Sequence, residues 1–340
     1  APVIGGYDAY LSADAAGDSA PAWRDPEVVL RLGASPTSKR LRKYLAATSA
    51  DEYVVDPAGR WREAEFAATD LVVAEPNRLC GDLSRLVAGG GSGEWRAQWE
   101  DADERAFGVL EESEAFFEGR AVATIAETVP DPATMFVSNS MPVRDLDRFA
   151  RPTTRSLTVC GNRGVSGIDG IVSAGLGAGS ATTDDLTLVV GDLALYHDSN
   201  GLLALDRLDL EATVVPINND GGGIFHALPI EGFEPEFTQQ FKTPHGLEFE
   251  SLADLHGLRY ERIDARVEGG DGDGSGVADG DGSGMADDPR SALAETYREA
   301  RERSGSTLID VRFDAESSHR TRERLRDRAV EAALGAESGE

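Results

Sequence analysis

Leu186-Thr-Leu-Val-Val-Gly191-Asp192-Leu193 and, further on, Val214-Val-Pro-Ile-Asn218-Asn219-Asp220-Gly221-Gly222-Gly223 decide the reading of the fold. Each is an unbroken apolar run that stops at a polar or glycine-rich turn. Apolar runs without alternation are what strands covered on both faces of a parallel sheet look like. Ligands of open α/β sheets sit beyond the carboxyl ends of the strands. Asp192 and Asn219 are therefore expected at one rim, on two strands separated by a helix. A carboxylate, an amide oxygen and a backbone carbonyl are oxygen ligands of the kind Mg²⁺ takes, its shell completed by phosphate oxygens. Gly191 and the glycines at 221–223 leave room for a backbone to approach a diphosphate. A plainer reading stands beside this one: two unrelated strand-end turns, with Asp192 capping a helix.

The same grammar extends in both directions. Val28–Leu30, Tyr53–Val55 and Leu71–Ala74 read as strands upstream, with a helix from Ser38 to Ala47. A helical pattern runs from about Glu100 to Val129. Met135–Val137, Leu157–Val159, Leu186–Val190, Thr213–Ile217 and Leu308–Val311 read as further strands. Helices are expected near Ile171–Gly179, Ser199–Leu208 and Ser291–Arg303. The alternation predicts an α/β protein with parallel sheets and helices on both faces. A domain boundary is expected near residue 105, dividing 1–104 from 105–340. Gly89–Gly93 reads as a loop. Ala174-Gly-Leu-Gly-Ala-Gly179 has the look of a nucleotide loop but fits better a helix whose small-residue face packs on the sheet. Residues 268–289 form a Gly/Asp-rich insertion. A calcium loop beginning at Asp271 needs a bidentate Glu at its twelfth position, where Gly282 stands, so a flexible acidic insertion is the better reading.

Composition narrows the partners. Of 340 residues, 61 are acidic and 33 basic, a net charge of −28. Such a surface repels nucleic acid and anionic membranes. Lysine occurs only at Lys39, Lys43 and Lys242; an acidic, lysine-poor chain resembles proteins of salt-loving organisms, in which salt screens the self-repulsion. No apolar run is long enough to span a membrane, and no charged-then-apolar leader opens the chain. Cys80 and Cys160 lie far apart, which suits a reducing cytoplasm and offers no metal cluster. The chain opens on Ala1 rather than Met, so residues are expected upstream. No strand runs into GxGxxG with a later acidic partner, as a nucleotide-binding oxidoreductase would require. Gly164-Val-Ser-Gly lacks the final spacing of a serine hydrolase elbow. Neither His197 nor His226 has a reason in the sequence to be catalytic.

Gly191-Asp192 followed by Asn218-Asn219 resembles the thiamine-diphosphate signature. Three longer stretches occur in order with it: Phe136-Val-Ser-Asn-Ser-Met-Pro-Val-Arg144, Gly161-Asn-Arg-Gly-Val-Ser-Gly-Ile-Asp-Gly170 and Asn218-Asn-Asp-Gly-Gly-Gly-Ile-Phe225. Together they resemble the diphosphate-binding domain of the 2-succinyl-5-enolpyruvyl-6-hydroxy-3-cyclohexene-1-carboxylate synthases, thiamine-diphosphate enzymes of menaquinone biosynthesis. Val3-Ile-Gly-Gly-Tyr-Asp8 and Arg31-Leu-Gly-Ala-Ser-Pro-Thr-Ser-Lys39 resemble that family's central domain. The resemblance covers nearly the whole chain apart from the acidic insertion.

The resemblance implies a thiamine-diphosphate-binding fold preceded by part of a Rossmann-like central domain. The family's amino-terminal pyrimidine-binding domain, with the glutamate that activates the cofactor, is not represented, so no residue here is assigned that role; the domain is expected in cis or in trans. The implied cofactors are thiamine diphosphate and Mg²⁺ or Mn²⁺, the metal on Asp192, Asn219 and the carbonyl of Gly221, with Gly191 and Leu193 beside the diphosphate. Asp220 stands where the family commonly has a third Asn. The implied reaction decarboxylates 2-oxoglutarate and adds the four-carbon unit to isochorismate. Arg144 and Arg163 match substrate-contacting arginines, and guanidinium groups suit these dicarboxylates. Lys39 matches a basic residue from the central domain, and Asn139 and Ser140 are further polar contacts. Ile224, Phe225 and Ile168 are candidates for an apolar wall by the thiazolium ring. A homodimer or larger assembly is implied for the complete enzyme. Another thiamine-diphosphate 2-oxoacid decarboxylase, or a cofactor-binding half of a split complex inactive alone, are the alternatives.

Overall fold

The structure, a computed structural model, describes residues 3–11, 25–87, 93–266 and 288–335. It divides into two compact units, one made of the chain through Glu112 together with the residues from Leu325 on, the other of Ser113–Arg324.

The first unit holds α1 (Tyr7–Tyr10), β1 (Val28–Leu32), α2 (Lys39–Ala47), β2 (Asp51–Val55), β3 (Asp70–Val72), α3 (Pro76–Leu86) and α4 (Gly93–Glu112). Its three strands pair in chain order and all in parallel, Val28 opposite Asp51 and Tyr53 opposite Asp70. The Ser38 hydroxyl caps α2 by accepting from the Leu41 N–H at 3.1 Å. Glu75 caps α3, with Pro76 at its first position, where no N–H is needed. The two stretches that resemble a central domain meet here. The buried Asp8 carboxylate accepts from the Ser38 hydroxyl and from Arg40, and Asp103 of α4 accepts from the N–H groups of Gly5 and Gly6.

The second unit runs α5 (Glu118–Thr128), β4 (Ala133–Val137), α6 (Met141–Phe149), β5 (Leu157–Cys160), α7 (Ile171–Gly179), β6 (Asp185–Gly191), α8 (Asp192–His197), α9 (Leu203–Arg207), β7 (Ala212–Asn218), α10 (Glu250–Leu255), β8 (Arg259–Asp264), α11 (Pro289–Glu302), β9 (Thr307–Arg312) and α12 (Ala315–Leu334). The division between the units falls within α12. Six parallel strands form one sheet in the order β5-β4-β6-β7-β9-β8. Alternate residues of each strand feed two cores. Met135, Val137, Val189, Val215, Ile217, Ile309 and Val311 pack under α5 and α11. Phe136, Leu186, Leu188, Val190, Val214 and Leu308 pack under α7, α8, α9 and α10. The predicted class, α/β with parallel sheets and helices, is the one found.

The glycine stretch 174–179 is part of α7, as its small-residue reading expected. A Cβ on Gly175 would stand 2.8 Å from Leu188 Cδ1, and one on Gly179 would run into Leu186, so the two glycines let α7 lie close to β6. The single helical stretch expected from Glu100 to Val129 is broken into α4 and α5. Phe116 and Phe117 cause the break, since they bury in different places: Phe116 lies 5.5 Å from Phe313 and Phe117 stands edge-on to Phe149 at 5.1 Å. The stretch expected as one helix from Ser199 to Leu208 is a 3₁₀ turn, Ser199–Leu202, followed by α9. The glycine loop at 89–93 lies outside the described residues except for Gly93, which begins α4, and the acidic insertion lies outside them from 268 to 287. Its last two residues are described: Asp288 caps α11, accepting from the Arg290 and Ser291 N–H groups, and Pro289 opens the helix. No helix among the described residues is long and apolar enough to cross a membrane.

Candidate active site

The order of strands in the second sheet reverses between β4 and β6: β5 lies on one side of β4, whereas β6 and β7 follow on the other. A reversal of this kind opens a crevice at the carboxyl ends of the two strands. Every predicted residue except Lys39 lies in this unit. The carboxyl ends of β4 and β6 are tied together, because Gly191 donates its N–H to the Ser138 hydroxyl at 3.2 Å, and Ser138 N–H reaches the Val189 carbonyl at 2.9 Å.

Asp192 opens α8 directly after β6, and Asn219 follows β7. Both side chains are buried. Asp192 Oδ2 accepts from the backbone N–H of Asn219 at 3.1 Å and of Gly221 at 2.9 Å, so one carboxylate gathers the whole β7 turn toward β6. His245 joins it: its Nδ1 accepts from the Leu247 N–H, which leaves Nε2 to donate to Asp192 Oδ2 at 3.2 Å. That hydrogen bond to Asp192 raises the His245 pKa above its ordinary value, against the effect of burial. Asp192 Oδ1 accepts from the Leu193 N–H at 2.7 Å. The capping role that the plainer reading expected is not found: Gly191 is the N-cap of α8, Asp192 is its first residue, and no side chain caps the helix.

Asn219 completes the donor set. Its Nδ2 donates to Glu118 Oε1 at 2.8 Å, and its buried Oδ1 has no hydrogen-bond partner among the described residues. An orphaned buried oxygen is costly, and an oxygen-seeking cation is one thing that satisfies it. Asp192, Asn219 Oδ1 and the Gly221 carbonyl thus fit a hard divalent cation by the chemistry of their donors. No cluster of three His, Cys, Asp or Glu side chains suited to a metal occurs among the described residues.

The glycines at 221–223 serve the chain's own packing. Gly221 sits at φ +138°, and a Cβ there would collide with the Lys242 carbonyl; one on Gly222 would collide with the Phe241 carbonyl. Their N–H groups are engaged, Gly222 with the Lys242 carbonyl at 2.7 Å. The turn is thereby pressed against a π-helical segment, Phe237–Lys242. Asp220, at φ +59°, ties the turn to the next segment by accepting from the His245 and Gly246 N–H groups. An Asn side-chain oxygen could accept the same bonds.

Arg144, Arg163, Asn139 and Ser140 come together at the end of β4. Arg163 donates to Asn139 Oδ1 at 2.7 Å, Asn139 Nδ2 donates to the Gly167 carbonyl at 3.2 Å, and Arg144 donates to the Ser140 carbonyl. Ser140 is held at φ +72°, a strained conformation for a residue with a side chain. Burial, then the neighbouring charges of Arg163 and Arg148, lower the Arg144 pKa. Among the described residues neither Arg144 nor Arg163 has a carboxylate at ion-pair distance, although the chain carries 61 acidic residues. Guanidinium groups without a carboxylate partner are suited by their chemistry to an anion.

No family model matches the chain. It is 66% identical, along its whole length, to the 2-succinyl-5-enolpyruvyl-6-hydroxy-3-cyclohexene-1-carboxylate synthase of Halorubrum lacusprofundi, of which it covers 56%. It is 50% identical to the synthase of the same name from Halobacterium salinarum, over 97% of the chain and 51% of that protein. The synthase of Roseiflexus castenholzii is 42% identical over 78% of the chain and 45% of its own length. The chain is a homologue of these synthases. It spans about half the length of the relatives it matches, most of them from halophilic archaea.

Lys39 is exposed at the first position of α2, in the first unit. Ile168 packs against the core under α7, and Phe225, half-buried, stands edge-on to Phe241 at 5.4 Å, with Ile224 beside it. His197 pairs with exposed Asp169 at 2.9 Å and takes no part in the rim. Glu118, Ser138, His245 and Arg322 escaped the sequence reading. Glu118 opens α5 and is fully buried; burial raises its pKa, with Arg322 opposing and Asp145 reinforcing the shift. A buried Glu at a helix start leaves no periodic signature, and its partners lie up to 204 positions away.

Proposed function

We propose that the second unit is a diphosphate-binding domain for thiamine diphosphate and Mg²⁺ or Mn²⁺, and the first unit part of a Rossmann-like central domain. In this reading the boundary lies near residue 105, and residues 268–289 are an acidic insertion. The observation that carries the reading is the pair Asp192 and Asn219: a buried carboxylate that draws in the β7 turn, beside a buried amide oxygen without a partner. The family resemblance implies a synthase that decarboxylates 2-oxoglutarate and joins the four-carbon unit to isochorismate, in menaquinone biosynthesis; the relatives' name, a 2-succinyl-5-enolpyruvyl-6-hydroxy-3-cyclohexene-1-carboxylate synthase, supports that reading.

When bound, thiamine diphosphate supplies the electron sink for decarboxylation and carbon–carbon bond formation. This chain's residues bind and orient. Asp192, Asn219 and the Gly221 carbonyl hold the metal, with Gly191 and Leu193 alongside. Arg144 and Arg163 neutralise and align the carboxylates of the two substrates, with Asn139 and Ser140 as polar contacts. By the resemblance, Lys39 is a further basic residue for the substrates. Ile224, Phe225 and Ile168 keep water from the reacting face. The complete enzyme, a cytoplasmic homodimer or larger assembly, requires a pyrimidine-binding domain in cis or in trans.

Calorimetric titration of thiamine diphosphate with Mg²⁺ in multimolar KCl, with a pyrimidine-binding domain supplied, tests the site. Saturable, Mg²⁺-dependent binding is expected for the wild type and none for Asp192→Ala. Equal binding by the two proteins sinks the assignment of Asp192.

A further inference from the structure

Behind Asn219 lies a buried charge cluster that no step of the proposed chemistry uses. Arg322 of α12 donates to both oxygens of Asp145 on α6, Nε to Oδ1 at 3.0 Å and Nη2 to Oδ2 at 2.7 Å, and also to Glu118 Oε2 on α5. All three side chains are buried, and Glu118 and Asp145 are at most 1% exposed. One guanidinium serves both carboxyl groups. Buried ions of this kind are a poor way to gain stability, because apolar side chains of the same volume do as well or better.

The cluster makes sense through the one contact it offers outward. A carboxylate accepts hydrogen bonds and does not donate them. With Oε2 facing Arg322, Oε1 turns the Asn219 amide so that Nδ2 points at Glu118 and Oδ1 points away, and that Oδ1 is the orphaned oxygen. Asp192 independently fixes the backbone of the same residue. We infer that Glu118, held in place by Arg322 and Asp145, is a positioning residue that presents the Asn219 side-chain oxygen to a divalent cation. The inference rests on the reading of Asp192 and Asn219 as a metal site. Outer partners of metal ligands commonly govern affinity by 10–100-fold.

Glu118→Gln separates positioning from packing. The variant keeps the volume, but the guanidinium claims the new carbonyl oxygen. The new NH₂ then faces Asn219 and reverses its amide, turning Nδ2 toward the metal. The test is Mn²⁺ titration in the presence of thiamine diphosphate, with free Mn²⁺ read by its paramagnetic resonance signal. It uses the full 340-residue chain with the pyrimidine-binding domain supplied, and thermal midpoints are recorded beside it. Glu118→Gln is expected to weaken Mn²⁺ binding about tenfold or more. In an Asn219→Ala background, with no amide left to turn, the same change is expected to matter by less than about threefold. Should Glu118→Gln fail to fold, Glu118→Asp carries the test: it keeps the charge for Arg322 but withdraws the carboxylate from Asn219, and it too is expected to weaken Mn²⁺. Mn²⁺ affinity unchanged in the folded variant, or an equal loss in both backgrounds, overturns the positioning role and leaves the metal site standing. No Mn²⁺ binding by the wild type overturns both.

Discussion

Glycines at this rim differ in what they are for, and single substitutions separate them. Gly191 has φ −71° and open space where a Cβ would be added, so Gly191→Ala is expected to leave stability within about 0.5 kcal/mol. Gly222 is also at a negative φ, but its Cβ would meet the Phe241 carbonyl, part of a backbone that is itself hydrogen-bonded to the turn. Gly222→Ala is expected to cost about 1–3 kcal/mol in denaturant unfolding. It should also weaken Mg²⁺-dependent cofactor binding, since the turn cannot shift without moving Asn219. If Gly191→Ala alone impaired cofactor binding while stability held, that glycine would be reserved for the ligand rather than for the chain. Arg144 and Arg163 show the same logic in charge. Most described arginines are matched to carboxylates, and these two, side by side, are not.

The buried strands were legible at the scale of elements because being covered on both faces leaves a β-branched-rich apolar run, too short for a buried helix and closed by a polar or glycine turn. Leu186–Val190 became β6 and Thr213–Ile217 became β7 to within a residue or two. Arg259-Tyr-Glu-Arg-Ile-Asp264 was not read, because β8 is an edge strand and keeps its charges in solvent. α6 was missed for a different reason: it is only nine residues long, with a proline at its second position, and four of the nine, Arg144, Asp145, Asp147 and Arg148, are charged. The rim ligands were legible because they stand beside strand ends, whereas the Glu118–Arg322–Asp145 cluster joins three helices and has no local pattern. One contact between elements is directly testable. Tyr297 of α11 and Thr187 of β6 share a hydrogen bond of 2.6 Å, both fully buried. Tyr297→Phe strands the threonine hydroxyl and is expected to cost about 1–3 kcal/mol. Adding Thr187→Val removes the stranded group, so the double variant should recover most of the loss in denaturant unfolding. A double variant as unstable as the two single losses added together would mean that packing, not the hydrogen bond, joins α11 to the sheet.

For the whole molecule the governing quantity is the net charge of −28. Two electrostatic effects compete as salt is added. Ion pairs such as Arg303–Glu299 at 2.9 Å and Arg301–Asp185 at 2.8 Å lose some attraction, but each exposed pair contributes only about 0–1 kcal/mol. Repulsion among the unpaired carboxylates acts over longer distances. The screening length falls from about 10 Å at 0.1 M to about 3 Å at 1 M, so it cuts off distant repulsion while largely sparing contacts of 3 Å. Repulsion therefore loses more than attraction, and the thermal midpoint is expected to rise with KCl, by about 1–2 °C for each kcal/mol relieved. The shape of the rise identifies its cause. Screening is nearly complete by about 1 M, so most of the gain should fall below that concentration. Stabilisation by exclusion of solute from the surface would instead grow steadily to several molar, and sucrose would reproduce it. A midpoint that is flat or falls between 0.1 and 1 M KCl would show that the acidic surface is already balanced by its arginine pairs, and the salt-adapted reading of the composition would fail.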